Sequence, residues 1–213
     1  MAGLETAGPD TAGLDTAAPP TRRDEHKRRT RAALRNAGLD LFATRGFDST
    51  TTEDIAEKAG VAVRTFFRYF PTKESVLYIG ESEWIHNVVT ELGEQPASVG
   101  DLAAVRAAIL AATTPLSHGR PALLKYSRAV ASSPTLRGRE QDYHRANAHL
   151  LAEAIAERRG VDAPDRRSTT LARIALLTYR RALDLWLGGP DTNELRDVIS
   201  SEFDLLEEVV REP

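Results

Sequence analysis

The sequence contains no cysteine among its 213 residues, which excludes disulfide bonds, thiolate catalysis and cysteine-ligated zinc sites. No apolar run approaches the roughly 18 residues that a membrane-spanning helix requires. The first 20 residues are rich in alanine, glycine and proline and lack the apolar segment of a secretion signal. These absences favour a cytoplasmic protein with a disordered N-terminal tail over residues 1–21.

Enzyme motifs are missing as well. The sequence has no Gly-x-Ser-x-Gly turn, phosphate-binding glycine loop, dinucleotide-binding glycine pattern or His-Glu-x-x-His pair. His144 and His149 are the closest pair of histidines, and their spacing places them too far apart around a helix to bind one metal ion. We therefore expect no enzymatic activity, no cofactor and no metal site.

Charge of neither sign dominates the whole chain, which has 28 Lys and Arg against 31 Asp and Glu. Residues 21–73, however, contain 12 Lys and Arg against seven Asp and Glu, whereas the segments on either side are net acidic. A local positive excess is typical of a segment that binds nucleic acid. The basic run from Arg22 to Arg31 could follow the DNA backbone or form a solvated arm, and the sequence leaves both alternatives open.

Aromatic residues are also scarce, but five of the six phenylalanines lie between Phe42 and Phe70. Helical spacing places Phe66 and Phe70 on one face, with Arg64 and Arg68 on the opposite face. A short helix from Thr52 to Ala59, ended by Gly60, precedes them. Two short helices joined by a tight turn, the second basic on its outer side, are typical of a helix-turn-helix whose second helix enters the major groove of DNA. An ordinary helical hairpin with solvated arginines is the alternative.

The residues before this motif predict a third helix and its caps. A helix from Thr30 to Arg45 would end at Gly46 in a left-handed conformation, with Phe47 packing back on Phe42. Thr51 is predicted to cap the next helix in a capping box with Asp54. The three helices would form a small core.

The segment from Leu41 to Leu77 resembles the N-terminal domain of the TetR family (AcrR-like) of transcriptional regulators. The matching residues are Leu41-Phe-x-x-x-Gly-Phe47, Thr50-Thr51, Ile55-Ala-x-x-Ala-Gly-Val61, Thr65-Phe-Phe-x-Tyr-Phe70 and Lys73-Glu74. The resemblance implies an all-α homodimer with an N-terminal three-helix domain that contains the helix-turn-helix, and a C-terminal helical domain for ligand binding and dimerisation. Ligand binding in this family usually releases the protein from its DNA operator.

The resemblance also implies which residues contact DNA. It assigns phosphate contacts to Thr51, Tyr69 and Lys73, and it places Val63, Arg64, Thr65 and Arg68 against bases or the nearby backbone. Phe67 stands where the family usually has a tyrosine, so it can offer only an apolar contact. Ala62 stands where the family usually has a capping serine, so the recognition helix should lack a side-chain cap.

The rest of the chain predicts helices throughout. A long helix from Lys73 to Glu91 would connect the DNA-binding domain, residues 22–72, to the C-terminal domain, residues 73–213. The last two helices, predicted from Asp165 to Leu187 and from Thr192 to Arg211, are the candidates for homodimerisation. The penultimate helix would contribute an apolar stripe to a seam with the final helix, made of Leu171, Ala175, Tyr179, Ala182, Leu183 and Trp186. Packing of this stripe inside one monomer is the alternative, and periodicity favours neither.

The effector is unidentified. Trp84, Tyr126, Tyr143 and Tyr179 are the candidate ligand-binding residues, although aromatic residues at helical spacing usually belong to a core. The basic residues between Arg120 and Arg145 could receive an anionic ligand or form a solvated surface.

The sequence thus predicts a DNA-binding transcriptional regulator, a repressor released from a palindromic double-stranded operator by a small molecule. The alternatives are a transcriptional activator and a helical ligand-binding protein whose DNA-binding face is vestigial.

Overall fold

The computed structural model describes residues 21–113, 119–190 and 192–211, and the side chains of residues 78–82 within this range are excepted. The described residues form nine α-helices and no β-strand, so the all-α prediction is confirmed. The helices are α1 (Arg22–Arg45), α2 (Thr52–Lys58), α3 (Val63–Tyr69), α4 (Ser75–Gly93), α5 (Asp101–Thr113), α6 (Arg120–Ser132), α7 (Pro134–Arg158), α8 (Arg166–Gly188) and α9 (Leu195–Arg211). None of the helices described here is long and apolar enough to cross a membrane.

Helix α1 begins at Arg22, eight residues before the predicted start at Thr30. Thr21 caps it, because the Thr21 hydroxyl accepts the Asp24 N–H and the Asp24 carboxylate accepts the Thr21 N–H. The prediction relied on leucine spacing, which is absent from this basic first half. Thr21 is therefore the cap of α1 and not part of the predicted tail. Residues 1–20 lie outside the described part of the chain. The whole basic run from Arg22 to Arg31 is helical.

The helix ends that organise the motif follow the predicted pattern. Gly46 ends α1 with φ of 86°, and the Phe42 and Phe47 rings pack edge to face with their centroids 5.1 Å apart. The Thr51–Asp54 capping box is present at α2. Ala62 precedes α3 without a side-chain cap, as expected.

The core beneath these helices extends beyond the predicted three-helix unit. Phe42, Phe66 and Phe70 are fully buried in it, together with Val76 and Leu77 of α4. The same cluster includes residues from α6 and α7: Ala129, Val130 and Leu136. The first three helices are therefore packed against the C-terminal body through α6 as well as through α4.

A second core joins α4, α5, α7, α8 and α9. The Trp84 and Tyr179 rings stack in it, with centroids 4.3 Å apart and an interplanar angle of 12°. The Trp84 Nε1–H lies 3.3 Å from the Thr113 hydroxyl, which donates in turn to the carbonyl of Ile109. Stacking and hydrogen bonding thus fix the position of α4 against α5 and α8.

Candidate nucleic-acid interface and internal cavity

Helix α3 has two chemically distinct faces. Phe66 and Phe70 are 0% exposed, whereas Phe67 is 53% exposed and both arginines of the helix are exposed. Neither Arg64 nor Arg68 forms a salt bridge with any residue that the structure describes. The predicted division of the helix into a buried aromatic face and a free basic face is therefore present.

The remaining candidate residues of α3 lie between these two faces. Val63, Thr65 and Tyr69 are half-buried. The Arg68 guanidinium lies over the Tyr69 ring, 5.1 Å from its centroid. A cation over an aromatic face is stabilised there, so Tyr69 restricts the position of Arg68 while leaving its N–H groups exposed.

Thr51 is exposed at the start of α2, and its polar groups are engaged in the cap. Its backbone N–H and its hydroxyl each lie 2.8 Å from the Asp54 carboxylate. These hydrogen bonds, with Arg45 3.6 Å away, hold the pKa of Asp54 below its ordinary value. The ionised Asp54 therefore fixes the loop that joins α1 to α2.

Lys73 has its ammonium inside the domain. Its Nζ donates to the carbonyl oxygens of Phe47 at 2.8 Å and Thr50 at 2.9 Å, and lies 4.2 Å from the centroid of the Phe47 ring. Two of its three N–H groups are thereby used on the α1–α2 loop. This structural role was not evident from the sequence, because the acceptors precede Lys73 by 23 and 26 residues.

An inner cavity of about 90 Å³ lies where α1 meets the C-terminal body. Three of the four candidate ligand residues line it, namely Trp84, Tyr126 and Tyr179, whereas Tyr143 packs against the N-terminal core. Its other lining residues are Arg35, Leu77, Leu123, His144, Asn147, Leu176, Arg180 and Leu183. The cavity is thus apolar on most sides and is contacted by helices of both predicted domains.

One wall of this cavity carries a paired charge. The Arg180 guanidinium donates to the Glu140 carboxylate at 2.7 Å, and the Tyr126 hydroxyl lies 3.3 Å from the same oxygen. Burial lowers the pKa of His144, so its neutral ring can accept the Arg180 N–H that lies 3.3 Å away. The Glu140 charge therefore compensates that of Arg180.

The basic residues between Arg120 and Arg145 do not form one anion site. Arg120 donates to the carbonyls of Leu187, Gly189 and Pro190 at the end of α8. Arg137 binds the carbonyl of Ala131, and Arg145 pairs with Asp142 at 3.1 Å. These side chains therefore act separately: they bind carbonyl groups at helix ends or form surface ion pairs.

Lys125 makes a contact that joins the two predicted domains. Its ammonium pairs with the Asp40 carboxylate of α1, and Lys58 of α2 lies 3.5 Å from the same carboxylate. The hydrogen bond from Lys125 is the main reason that the pKa of Asp40 is lowered. Asp40 is therefore ionised near neutral pH and attaches α6 to the helix-turn-helix domain.

Helix α8 has two apolar stripes, and the predicted one is internal. Ala175, Tyr179, Ala182 and Trp186 are buried in the monomer, and Leu171 and Leu183 pack partly buried against the same core. A second set of apolar residues on α8 and α9 is exposed: Ile174, Leu177, Leu185, Leu205, Val209 and Val210. Residues 174, 177 and 185 have helical spacing and form the α8 part of this second stripe. This stripe was not evident from the sequence, because the inner face of α8 contains more apolar residues.

Comparison with known proteins identifies relatives of this chain. A family model for bacterial regulatory proteins of the tetR family matches residues 34–77, and one for the MftR C-terminal domain matches residues 100–211. The chain is 34% identical to the HTH-type transcriptional regulator TcmR of Streptomyces glaucescens over 174 residues, which cover 78% of this chain and 75% of TcmR. It is 25% identical to the protein named as mycofactocin biosynthesis transcriptional regulator MftR of Mycobacterium tuberculosis over 173 residues, 81% of this chain and 87% of that protein.

Solved structures show the same fold. The fatty acid degradation regulator FadR of Bacillus halodurans has a TM-score of 0.61 at 16% identity, covering 86% of this chain and 97% of that one. FadR of Thermus thermophilus, a TetR family repressor solved in complex with lauroyl-CoA, has a TM-score of 0.54 at 23% identity, covering 86% and 96%.

Proposed function

The chain belongs to the TetR family of bacterial transcriptional regulators, and we propose that it is a homodimeric repressor that a small-molecule effector releases from a palindromic operator. In this proposal residues 22–72 bind DNA, and residues 73–213 bind the effector and form the dimer. The observation that carries it is the two-faced recognition helix α3, which buries Phe66 and Phe70 and exposes Arg64 and Arg68.

Recognition would place α3 in the major groove. Arginine forms paired hydrogen bonds with the O6 and N7 atoms of guanine, so Arg64 and Arg68 suit guanines in each half-site. Phe67 is 53% exposed and would pack on a thymine methyl group or a sugar. Thr51, Val63, Thr65 and Tyr69 would border the bound DNA, while Lys73 would act by fixing the α1–α2 loop.

The exposed stripe on α8 and α9 is the proposed dimer interface. Leu177 is 71% exposed and Val210 is 68% exposed, and apolar residues grouped in this way mark an association surface. Two copies of the α8–α9 pair would form a four-helix bundle. A symmetric dimer would place its two recognition helices about 34–36 Å apart, which is one turn of DNA.

Release would begin at the inner cavity. Leu77 and Trp84 of α4 line it together with Tyr126 of α6, and both helices pack against α1. An effector that displaces these helices would change the spacing of the two copies of α3. By linkage, the effector must lower DNA affinity by the same factor by which DNA lowers effector affinity.

The proposal is tested by fluorescence anisotropy on duplex fragments from upstream of the protein's own gene. We expect saturable, sequence-dependent binding by a dimer. Arg68→Met should cost about 1–3 kcal/mol on the preferred fragment and relax its sequence preference. Arg196→Met is the control, since Arg196 is exposed on α9 and loses the same charge away from α3.

The dimer interface has its own test by light scattering. Leu177→Glu should give a folded monomer with weakened operator binding, whereas Leu177→Met, which conserves volume, should remain dimeric. Binding that is equal on all sequences and unaffected by Arg68→Met would instead indicate a ligand-binding protein with a vestigial DNA-binding face. Transcription from the bound promoter, measured in vitro, separates a repressor from an activator.

A further inference from the structure

Arg35 of α1 is a polar residue of the inner cavity for which the proposed function has no role. Its Nε atom is buried and has no hydrogen-bond acceptor among the residues that the structure describes. The Arg35 guanidinium also forms no salt bridge with a residue that the structure describes. The residue as a whole is half-buried, and a buried N–H donor without an acceptor costs free energy unless a ligand supplies one.

Among the described residues, no acidic side chain pairs with Arg35. Arg180, the other guanidinium of the cavity, already pairs with Glu140 at 2.7 Å and with Asp184 at 3.3 Å. The stacked rings of Trp84 and Tyr179 also line the cavity and give it apolar surface. The cavity therefore combines one positive charge that no described residue pairs with and surfaces suited to hydrocarbon.

We propose that the effector is a small apolar carboxylic acid whose carboxylate binds Arg35 inside this cavity. The assignment of this acid as an effector depends on the proposed function, whereas its binding does not. A planar guanidinium donates two parallel hydrogen bonds to a carboxylate. The Asn147 side chain, which is 8% exposed and lines the same cavity, offers a further donor. A single guanidinium balances one negative charge, so a monoanionic carboxylate fits better than a doubly charged phosphate.

The size of the cavity determines where the rest of the ligand lies. Its volume of about 90 Å³ equals that of about three water molecules at roughly 30 Å³ each, which is enough for the acid group and the atoms next to it. A neighbouring groove of about 370 Å³ lies between α7 and α8 and shares His144, Leu176 and Arg180 with the cavity. The apolar body of the ligand would extend past Leu176 along the apolar part of this groove, formed by Ala148 and Ala152, with Arg145 and Arg173 on its border.

This geometry connects the ligand directly to the DNA-binding domain. Arg35 is on the same helix as Leu34 and Phe42, which are buried in the core beneath α3. A carboxylate bound to Arg35 therefore acts on α1 itself, in addition to the helices of the C-terminal body. A change in DNA affinity requires that the effector bind one position of α1 more tightly than another, and a direct contact with α1 would provide that difference.

Calorimetry on the full-length protein without DNA tests the binding step. The probes are benzoate, hydrocinnamate and octanoate, each compared with its primary amide. We expect at least one acid to bind about tenfold or more tightly than its amide, and Arg35→Gln to remove that preference. Arg31→Gln is the matched control, because Arg31 lies one turn earlier on α1, is exposed, and pairs with Glu83 outside the cavity.

Each outcome is decisive for the carboxylate site. An acid preference that survives Arg35→Gln, equal binding of acids and amides, or failure of all three acids to bind would each overturn the proposal, provided that circular dichroism shows the variants folded. Operator binding is measured separately. A protein that binds its operator but no acid refutes the carboxylate site alone, and one that binds acid through Arg35 but no operator refutes the proposed function alone.

Discussion

Lys73→Met distinguishes a structural lysine from a phosphate-binding one. The resemblance to the family assigns Lys73 to DNA phosphate, yet its Nζ donates to the carbonyls of Phe47 and Thr50 at 2.8 and 2.9 Å. Methionine retains most of the aliphatic chain that packs near the Phe47 ring and removes the charge and both hydrogen bonds. We expect the substitution to loosen the α1–α2 loop more than it weakens contact with DNA.

The magnitude follows from these contacts. A hydrogen bond that involves a charged group contributes about 1.5–3 kcal/mol. Because Lys73 is half-buried, water replaces part of what is lost at the two carbonyls, and the free energy of unfolding should fall by about 2–4 kcal/mol. For a chain of this length that corresponds to a decrease in Tm of roughly 5–15 °C. Lys58→Met should cost less than about 1 kcal/mol, because Lys58 only pairs with Asp40 at the surface.

The two roles separate in a pair of assays on the same proteins. Thermal unfolding measures the structural role, and the slope of log Kobs against log salt counts phosphate contacts, at about 0.9 for each contact on duplex DNA. We expect Lys73→Met to lower Tm well below that of Lys58→Met and to leave the slope unchanged. If Tm matched the Lys58→Met value while the slope flattened by about 1.8 per dimer, Lys73 would be a phosphate contact and our reasoning would be refuted.

Two further predictions concern glycine and aspartate at helix ends. Gly46→Ala should destabilise the protein by about 1–3 kcal/mol, since Gly46 has φ of 86° and ψ of 153°. Gly138→Ala, inside α7 with open space around its Cβ position, should instead stabilise the protein by about 0.5–1 kcal/mol. Urea unfolding measures both changes. Asp165 caps α8, and hydrogen bonds from Arg159 and Ser168 lower its pKa. Its ionised form therefore stabilises the fold above its unfolded pKa of about 3.9, and this contribution is lost as pH falls through the lower folded value. The Tm difference between wild type and Asp165→Asn should accordingly be constant near neutral pH and shrink below about pH 4; a difference that persisted at low pH would contradict this.

The faces of α3 could be predicted from the sequence because they depend on local spacing. Phe66 and Phe70 are one helical turn apart, and a short helix next to a phenylalanine-rich core can bury them in only one way. The Thr51–Asp54 capping box is equally local, since both partners lie within one turn. Features of this kind require no knowledge of which distant helices meet.

The proposed dimer face and the cavity could not be predicted in this way. Both stripes of α8 have helical spacing, and the inner one contains small residues such as Ala175 and Ala182, which allow neighbouring helices to approach closely. The larger Leu177 therefore remains outside. Likewise, Arg35 is one of many arginines in a basic segment, and its position beside the cavity depends on α6, α7 and α8, which follow it by 85 residues or more.

The position of α6 determines how a change at the cavity is transmitted to the recognition helix. A DNA-binding domain attached through α4 alone could pivot about that helix, and an effector would need to move α4 to change its orientation. Here Ala129 and Val130 of α6 are buried in the N-terminal core, and Lys125 pairs with Asp40 beside them. With two attachments, rotation about either one strains the other. The structure shows one such packing of α1 against α4 and α6, and a second orientation would require both attachments to change together. The proposed effector would need to favour one packing over the other by about 1–3 kcal/mol to change operator affinity by about 5- to 150-fold.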